Sequence, residues 1–171
     1  MRSALDFVHQ LIPENIDLAI DATVGRGRDS LILASRSKRL IGFEIQKEAL
    51  EEAKLLLKDY NVRLYKDCHS QMDLYVKEKV DLIIFNLGYL PRGDKRICTR
   101  AETTQLAIKK GLELLHTGGR ILIVAYKHPK GQDEIKMLEN LDLPQNQADI
   151  FRLTHYNGKN HPPEAWVIIK K

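Results

Sequence analysis

The chain lacks any apolar run near the roughly 18 residues of a membrane span, so no membrane association is expected. Its only cysteines, Cys68 and Cys98, are too few for a disulfide framework and have no metal-ligand spacing. No metal is expected. The N-terminal stretch Met1-Arg2-Ser3-Ala4-Leu5-Asp6-Phe7 has neither a long apolar core nor a small-residue cleavage site, which argues against a secretory leader. These absences together read as a cytoplasmic protein. Internal repeats, low-complexity tracts and linker-like segments are also missing.

What is present fits one domain over residues 1–171, with 43% hydrophobic and 29% charged residues, an ordinary globular balance. The formal net charge of +4 is compatible with a nucleic-acid partner but does not establish one. Residues 2–12 read as an amphipathic helix with Leu5, Val8, His9 and Ile12 at helical spacing, stopped by Pro13. Strands follow at 16–22, 39–44, 62–65, 80–85 and 120–126, alternating with helices at 29–36, 46–57, 71–77, 100–115 and 132–140. Thr117-Gly118-Gly119 reads as the stop of the helix over 100–115. Residues 148–154 and 165–169 close the chain as two strands around a turn at Asn157-Gly158-Lys159-Asn160. The alternation predicts an α/β doubly wound sheet, mostly parallel, with a C-terminal antiparallel hairpin. Ligands of such sheets sit at the carboxyl ends of the strands, near the switch point. An exposed edge strand or the fifth-strand region would suit a homodimer.

Asp21-Ala22-Thr23-Val24-Gly25-Arg26-Gly27-Arg28-Asp29-Ser30 joins the first strand to the first helix. Gly25 and Gly27 permit positive φ and close approach of a ligand to the backbone. Asp29 or Ser30 is expected to cap the helix. The dinucleotide fingerprint would place a third glycine where Ser30 stands, and its pyrophosphate would be repelled by Asp21. A ligand carrying an amine or sulfonium would not be. The stretch resembles the first motif of S-adenosylmethionine-dependent methyltransferases, acid-x-x-x-Gly-x-Gly. Asp21, Thr23, Gly25, Arg26, Gly27, Arg28 and Asp29 are the candidate cofactor contacts in this loop.

Glu44, at the end of the second strand, has the position and spacing of an acid that accepts hydrogen bonds from ribose hydroxyls. Gln46 lies two residues on and would line the same pocket. Cys68 and His69, past the third strand, are further candidate contacts; alternatively, Asp67 or Ser70 caps the next helix and His69 is an ordinary loop residue.

Asn86-Leu87-Gly88-Tyr89-Leu90-Pro91 follows the fourth strand and resembles the Asn-Pro-Pro-Tyr element of amino-group methyltransferases, with Leu87 and Gly88 in place of the prolines. An amine must aim its lone pair at the methyl group, so its N–H bonds need acceptors elsewhere. The Asn86 amide oxygen and the Leu87 carbonyl can supply them. Tyr89 can stack on a base. Asn86 and Tyr89 are therefore the candidate catalytic residues, and Asn86 and Leu87 also border the cofactor. Lys95, Arg96 and Arg100, with Lys127 and Lys130 after the fifth strand, are candidate phosphate contacts on RNA.

Together with Gly42-Phe43-Glu44-Ile45-Gln46, Cys68-His69-Ser70 and Tyr156-Asn157, these segments resemble the MnmM (YtqB) family over nearly the whole chain. The resemblance implies a class I methyltransferase, Rossmann-like, that uses S-adenosyl-L-methionine. It implies tRNA as partner, through the anticodon stem-loop, and conversion of the 5-aminomethyl group of a wobble 2-thiouridine to methylaminomethyl. Arg26, Arg28 and Arg92 depart from the family pattern. An rRNA-base or small-amine methyltransferase and a non-catalytic cofactor- or RNA-binding module are the alternatives.

Overall fold

The computed structural model describes residues 3–90, 93, 96–127, 131–159 and 161–171. The helices are α1 (Ala4–Gln10), α2 (Arg28–Arg36), α3 (Lys47–Leu56), α4 (Met72–Tyr75, preceded by a 3-10 turn at His69–Gln71), α5 (Ala101–Leu114) and α6 (Gln132–Glu139). The strands are β1 (Ile16–Asp21), β2 (Ser37–Phe43), β3 (Val62–Tyr65), β4 (Val80–Asn86), β5 (Leu115–Ala125), β6 (Ala148–Leu153) and β7 (Glu164–Lys170). They form one sheet in the order β3-β2-β1-β4-β5-β7-β6. All pairs are parallel except those of β7 with β5 and with β6. The chain steps outward from β1 through β2 to β3, returns to β4 on the other side of β1, and steps outward again. The loops after β1 and β4 therefore part in opposite directions and leave a crevice.

Strand periodicity builds two cores, one on each face. Ile83, Phe85, Ile121 and Ile123 point to the face covered by α5, with Met72, Ile108 and Leu112. Leu82, Ile84, Leu122 and Val124 point to the other, with Val8, Leu33, Ala34 and Ala53 from α1, α2 and α3. Central strands covered on both faces must be apolar at every position, which is why 82–85 has no polar break. Gly111 lets α5 approach closely, since a Cβ there would lie 2.8 Å from Ile83 Cδ1.

Several boundaries differ from the expectation. Thr117-Gly118-Gly119 is no helix stop; α5 ends at Leu114 and β5 begins at once. Buried Leu115 pairs with Val80, and the register shifts before Arg120 pairs with Leu82, so the glycines, with Gly118 at φ +83°, absorb an irregularity in the strand. The first helix is shorter than expected because Ser3 and Asp6 form a capping box that starts it, while Leu11 already ends it. Over Arg120–Val124, β5 is paired on both sides and offers no edge; β3 and β6 are the edges. No helix among the described residues is long and apolar enough to cross a membrane.

Phe85 is fully buried between α5 and the strand neighbours. Phe85→Ala should lower unfolding free energy by about 3–5 kcal/mol. Urea unfolding followed by circular dichroism would read this, and a loss below about 1 kcal/mol would show that the site collapses around the gap.

Candidate active site

The glycine loop is held from beneath by Asp21. Its side chain is fully buried, accepts the Thr23 N–H at 2.9 Å and takes the Ser30 hydroxyl at 2.6 Å. Neither Asp29 nor Ser30 caps α2. The N-cap is Gly27, at φ +86°, with no side-chain cap, because the loop enters the helix from a left-handed turn that glycine allows. Ser30 is spent on Asp21 and Asp29 on other partners described below.

Glu44 reaches across from the end of β2. Its two oxygens accept the N–H of Gly25 at 2.9 Å and of Gln46 at 2.7 Å. The acid thus fixes the glycine loop to the second strand while each oxygen keeps a further acceptor direction. Ile45, next to it, is 48% exposed and presents apolar surface beside those acceptors, a feature the sequence reading passed over. Arg26 turns toward α3 and pairs with Glu52 at 3.3 Å, and Arg28 is exposed.

Cys68 and His69 prove to be different in kind. Cys68 is half-buried and its sulfur accepts the Ser70 hydroxyl at 3.1 Å. His69 is buried, bonds the Ala22 carbonyl through Nδ1 at 3.0 Å and sets its ring edge-on to Phe85. Burial pushes its pKa below the ordinary histidine value, so the neutral ring supports the end of β1. Asp67 and Ser70 cap nothing: the 3-10 turn has no side-chain cap, and Asp67 takes the Tyr75 hydroxyl at 2.6 Å.

Asn86 closes β4 directly opposite. Its backbone N–H donates to Thr23 Oγ1 at 2.7 Å, binding the two loops together across the crevice. Its side-chain Nδ2 donates to Asp29 Oδ2 at 2.8 Å, and the same amide N–H group faces the Tyr126 hydroxyl oxygen at the end of β5. Asp29 Oδ1 in turn meets His9 Nε2 at 2.9 Å. His9 and Tyr126 were not singled out from the sequence. Tyr126 carried a readable signal, its place at the carboxyl end of a central strand; His9 carried none, because only tertiary packing brings α1 to the loop.

The segment after Asn86 folds into a short hairpin. Leu87 is buried and its N–H bonds the Val124 carbonyl at 2.9 Å. Gly88, at φ +130°, exchanges bonds with Thr99, donating to Oγ1 at 2.7 Å and accepting from the Thr99 N–H at 2.9 Å; Tyr89 bridges Cys98. The Thr99 side chain also bonds Glu134 of α6, an acid that burial pushes above the ordinary carboxylate range. Leu90 lies over the glycine loop, where a Cβ on Gly25 would come to 3.2 Å from its Cδ1. Glycine thus keeps a gap between the two loops.

Of the basic candidates, Arg96 and Arg100 are exposed beside this hairpin. Lys127 instead turns onto Glu164, a buried acid that also holds Arg152. Those cations outweigh the desolvation of Glu164 and keep its pKa below the ordinary value. Lys95 and Lys130, and Arg92, lie outside the described residues. A separate hollow of about 520 Å³, lined by Lys109, Leu112, Asp142, Pro144 and Lys170 among others, sits at the amino ends of the parallel strands and shares no residue with the crevice.

Strand order, the reversed β7 and a glycine loop tied to an asparagine loop at the switch point define a class I methyltransferase domain. A family profile described as "Putative rRNA methylase" matches residues 40–170, and the chain belongs to that family, in agreement with its MnmM-type motifs. A chloroplastic tRNA (mnm(5)s(2)U34)-methyltransferase of Arabidopsis thaliana is 36% identical over 141 residues, 72% of this chain and 52% of that protein, so the chain spans about half of that relative. A crystal structure described as a "putative rRNA-methylase" from Clostridium thermocellum matches with a TM-score of 0.94 and 35% identity, covering 100% of this chain and 99% of that one. A "putative methyltransferase" of Streptococcus mutans in complex with SAH matches with a TM-score of 0.91 and 32% identity over 100% and 99% of the two chains.

Burial and the nearby Asp29 charge raise the Asp21 pKa from its ordinary 3.8 to about 7. An acid with a higher pKa in the folded state keeps its proton preferentially there. Stability therefore falls as pH rises from about 4 to about 7 and levels off above. Asp21→Asn should remove this component, so that its stability relative to wild type improves with rising pH across that window. Urea unfolding of both proteins as a function of pH checks this; a constant difference would assign Asp21 an ordinary carboxylate pKa.

Proposed function

We propose that the protein is an S-adenosylmethionine-dependent N-methyltransferase that converts the 5-aminomethyl group of a 2-thiouridine at the tRNA wobble position to methylaminomethyl. The observation that carries the reading is the state of Asn86. Its amide nitrogen is committed to Asp29, and so its oxygen is the end left to accept an N–H. That is the arrangement an amine nucleophile needs.

The residues present fit the cofactor. Glu44 offers acceptors for a diol, Gly25 leaves a cradle that a Cβ would narrow, and the acid beneath the loop suits a cationic ligand. S-adenosylmethionine, when bound, supplies an electrophilic methyl group on a sulfonium. Thr23, Gly25, Gly27, Glu44, Gln46 and Leu87 would border it. Asn86 Oδ1 and the Leu87 carbonyl would take the acceptor's N–H bonds and direct its lone pair along the transfer axis. An alkylammonium is mostly protonated at neutral pH, so one proton leaves to water before the new N–C bond forms. A rigid Asn86, set at the end of a strand whose Leu82–Phe85 run is buried, makes alignment the main source of rate. Tyr89, at the rim of the hairpin, would stack on the target base. A wobble base in a loop is already accessible.

Nucleoside mass spectrometry of tRNA carrying 5-aminomethyl-2-thiouridine, incubated with enzyme and methyl donor, should show a gain of one methyl on that nucleoside. Methylation of an rRNA nucleoside instead would favour the rRNA reading that the family description suggests. Asn86→Ala should slow single-turnover transfer on the order of a hundredfold while leaving donor affinity nearly intact. Transfer at the wild-type rate would rule out the amine-aiming role.

Arg96 and Arg100, with Lys95 and Lys130, would meet phosphates of the anticodon stem-loop. tRNA affinity should fall steeply with salt, and each phosphate contact removed should reduce the log–log slope by about 0.7 to 0.9. Lys127→Ala should change the slope least, since that ammonium is already paired with Glu164. Binding titrations across salt concentrations test both; a salt-independent affinity would favour a small-amine substrate.

A further inference from the structure

An asparagine presents oxygen and nitrogen in nearly the same shape, so one that must accept a hydrogen bond from a substrate needs its flip decided by a partner. Asp29 decides it for Asn86 by taking Nδ2 at 2.8 Å. A carboxylate with one partner can still rotate about its own terminal bond. Here the other oxygen is held by His9 Nε2 at 2.9 Å, with the two side chains only 21% and 13% exposed.

His9 is itself fixed. It lies in the last turn of α1, and α1 packs against β5 and β7. Arg36, at the end of α2, donates to the His9 carbonyl at 3.2 Å and to the Ile12 carbonyl at 2.9 Å. The two helices are thus joined twice, by the His9–Asp29 contact at the start of α2 and by Arg36 at its end. The chain of bonds runs from α1 through α2 to the end of β4, and a helix that otherwise only covers the sheet ends one side chain away from the acceptor asparagine.

We propose that His9 is a positioning residue for methyl transfer: acting through Asp29, it locks the Asn86 amide with its oxygen toward the acceptor nitrogen. The proposal rests on the role of Asn86 argued above. His9 does not touch substrate in this scheme, and its effect vanishes when Asn86 is gone.

The test measures single-turnover transfer at saturating donor, on tRNA bearing 5-aminomethyl-2-thiouridine, for wild type, His9→Ala, His9→Gln, Asn86→Ala and the His9→Ala/Asn86→Ala double variant. His9→Ala should slow transfer about tenfold with donor Kd and tRNA KM unchanged. His9→Gln should recover most of the rate, because a glutamine amide nitrogen extends to about the position of imidazole Nε2 and donates to Asp29. In the Asn86→Ala background, His9→Ala should cost nothing further, as expected of residues acting in one unit. Wild-type transfer with an unaffected His9→Ala variant overturns this proposal alone. So does an equal loss in the alanine and glutamine variants, or a full multiplicative loss in the double variant, either of which marks a purely structural helix contact. Absence of transfer by the wild type overturns the function reading and this proposal with it.

Discussion

The hydrogen bond from the Asn86 N–H to Thr23 Oγ1 is the contact on which the site depends. β1 and β4 are neighbours whose following loops leave in opposite directions, so nothing in the ladder itself ties those loops together. The threonine hydroxyl does so at the mouth of the crevice. From it, the glycine loop is tied on to β2 through Glu44, and Asn86 to α2 through Asp29. The loops after β1, β2 and β4, and the helices α1 and α2, are thereby referred to one point.

Three acids bear on the glycine loop and each is used differently. Asp21 is buried beneath it, with two hydrogen bonds that only partly offset desolvation. Glu44 spans two backbone donors. Asp29 joins two side chains. Negative charge gathered beneath a loop suits a cationic donor and is hostile to a pyrophosphate. The same three groups work against one another, since Asp29 and Glu44 both push the Asp21 proton affinity upward. The site is in this sense held ready at some cost to stability, which is common where function requires it.

The acceptor loop shows the same economy on the opposite side. Thr99 serves the Gly88 backbone and Glu134 together, so α6 braces the hairpin that carries Tyr89. The hollow at the amino ends of the parallel strands has no motif residue facing it. Position at the carboxyl ends of the strands, rather than volume, identifies the site in this architecture.

Local sequence determined the alternation of elements, because strands buried on both faces must be continuously apolar and the helices must be amphipathic. It also placed Gly25 and Gly27 in the loop after the first strand and Glu44 and Asn86 at the carboxyl ends of strands, since strand ends and backbone needs are local properties. Boundaries resting on a glycine pair were misread: Thr117-Gly118-Gly119 looks like a helix stop, but pairing of Leu115 with Val80, a contact distant in sequence, makes it strand. Roles that depend on which side chains meet were beyond it. Asp29 or Ser30 reads as the cap, His69 as either a cofactor contact or an ordinary loop residue, and Lys127 as a phosphate contact; the partners that the Asp29, His69 and Lys127 side chains have in the fold, His9 and Asn86, Ala22, and Glu164, are chosen only by packing of separate elements. A side chain's chemistry is written in the sequence, whereas its hydrogen-bond partner is a property of the fold, because burial leaves each polar group to satisfy itself with whatever the tertiary structure brings within about 3 Å.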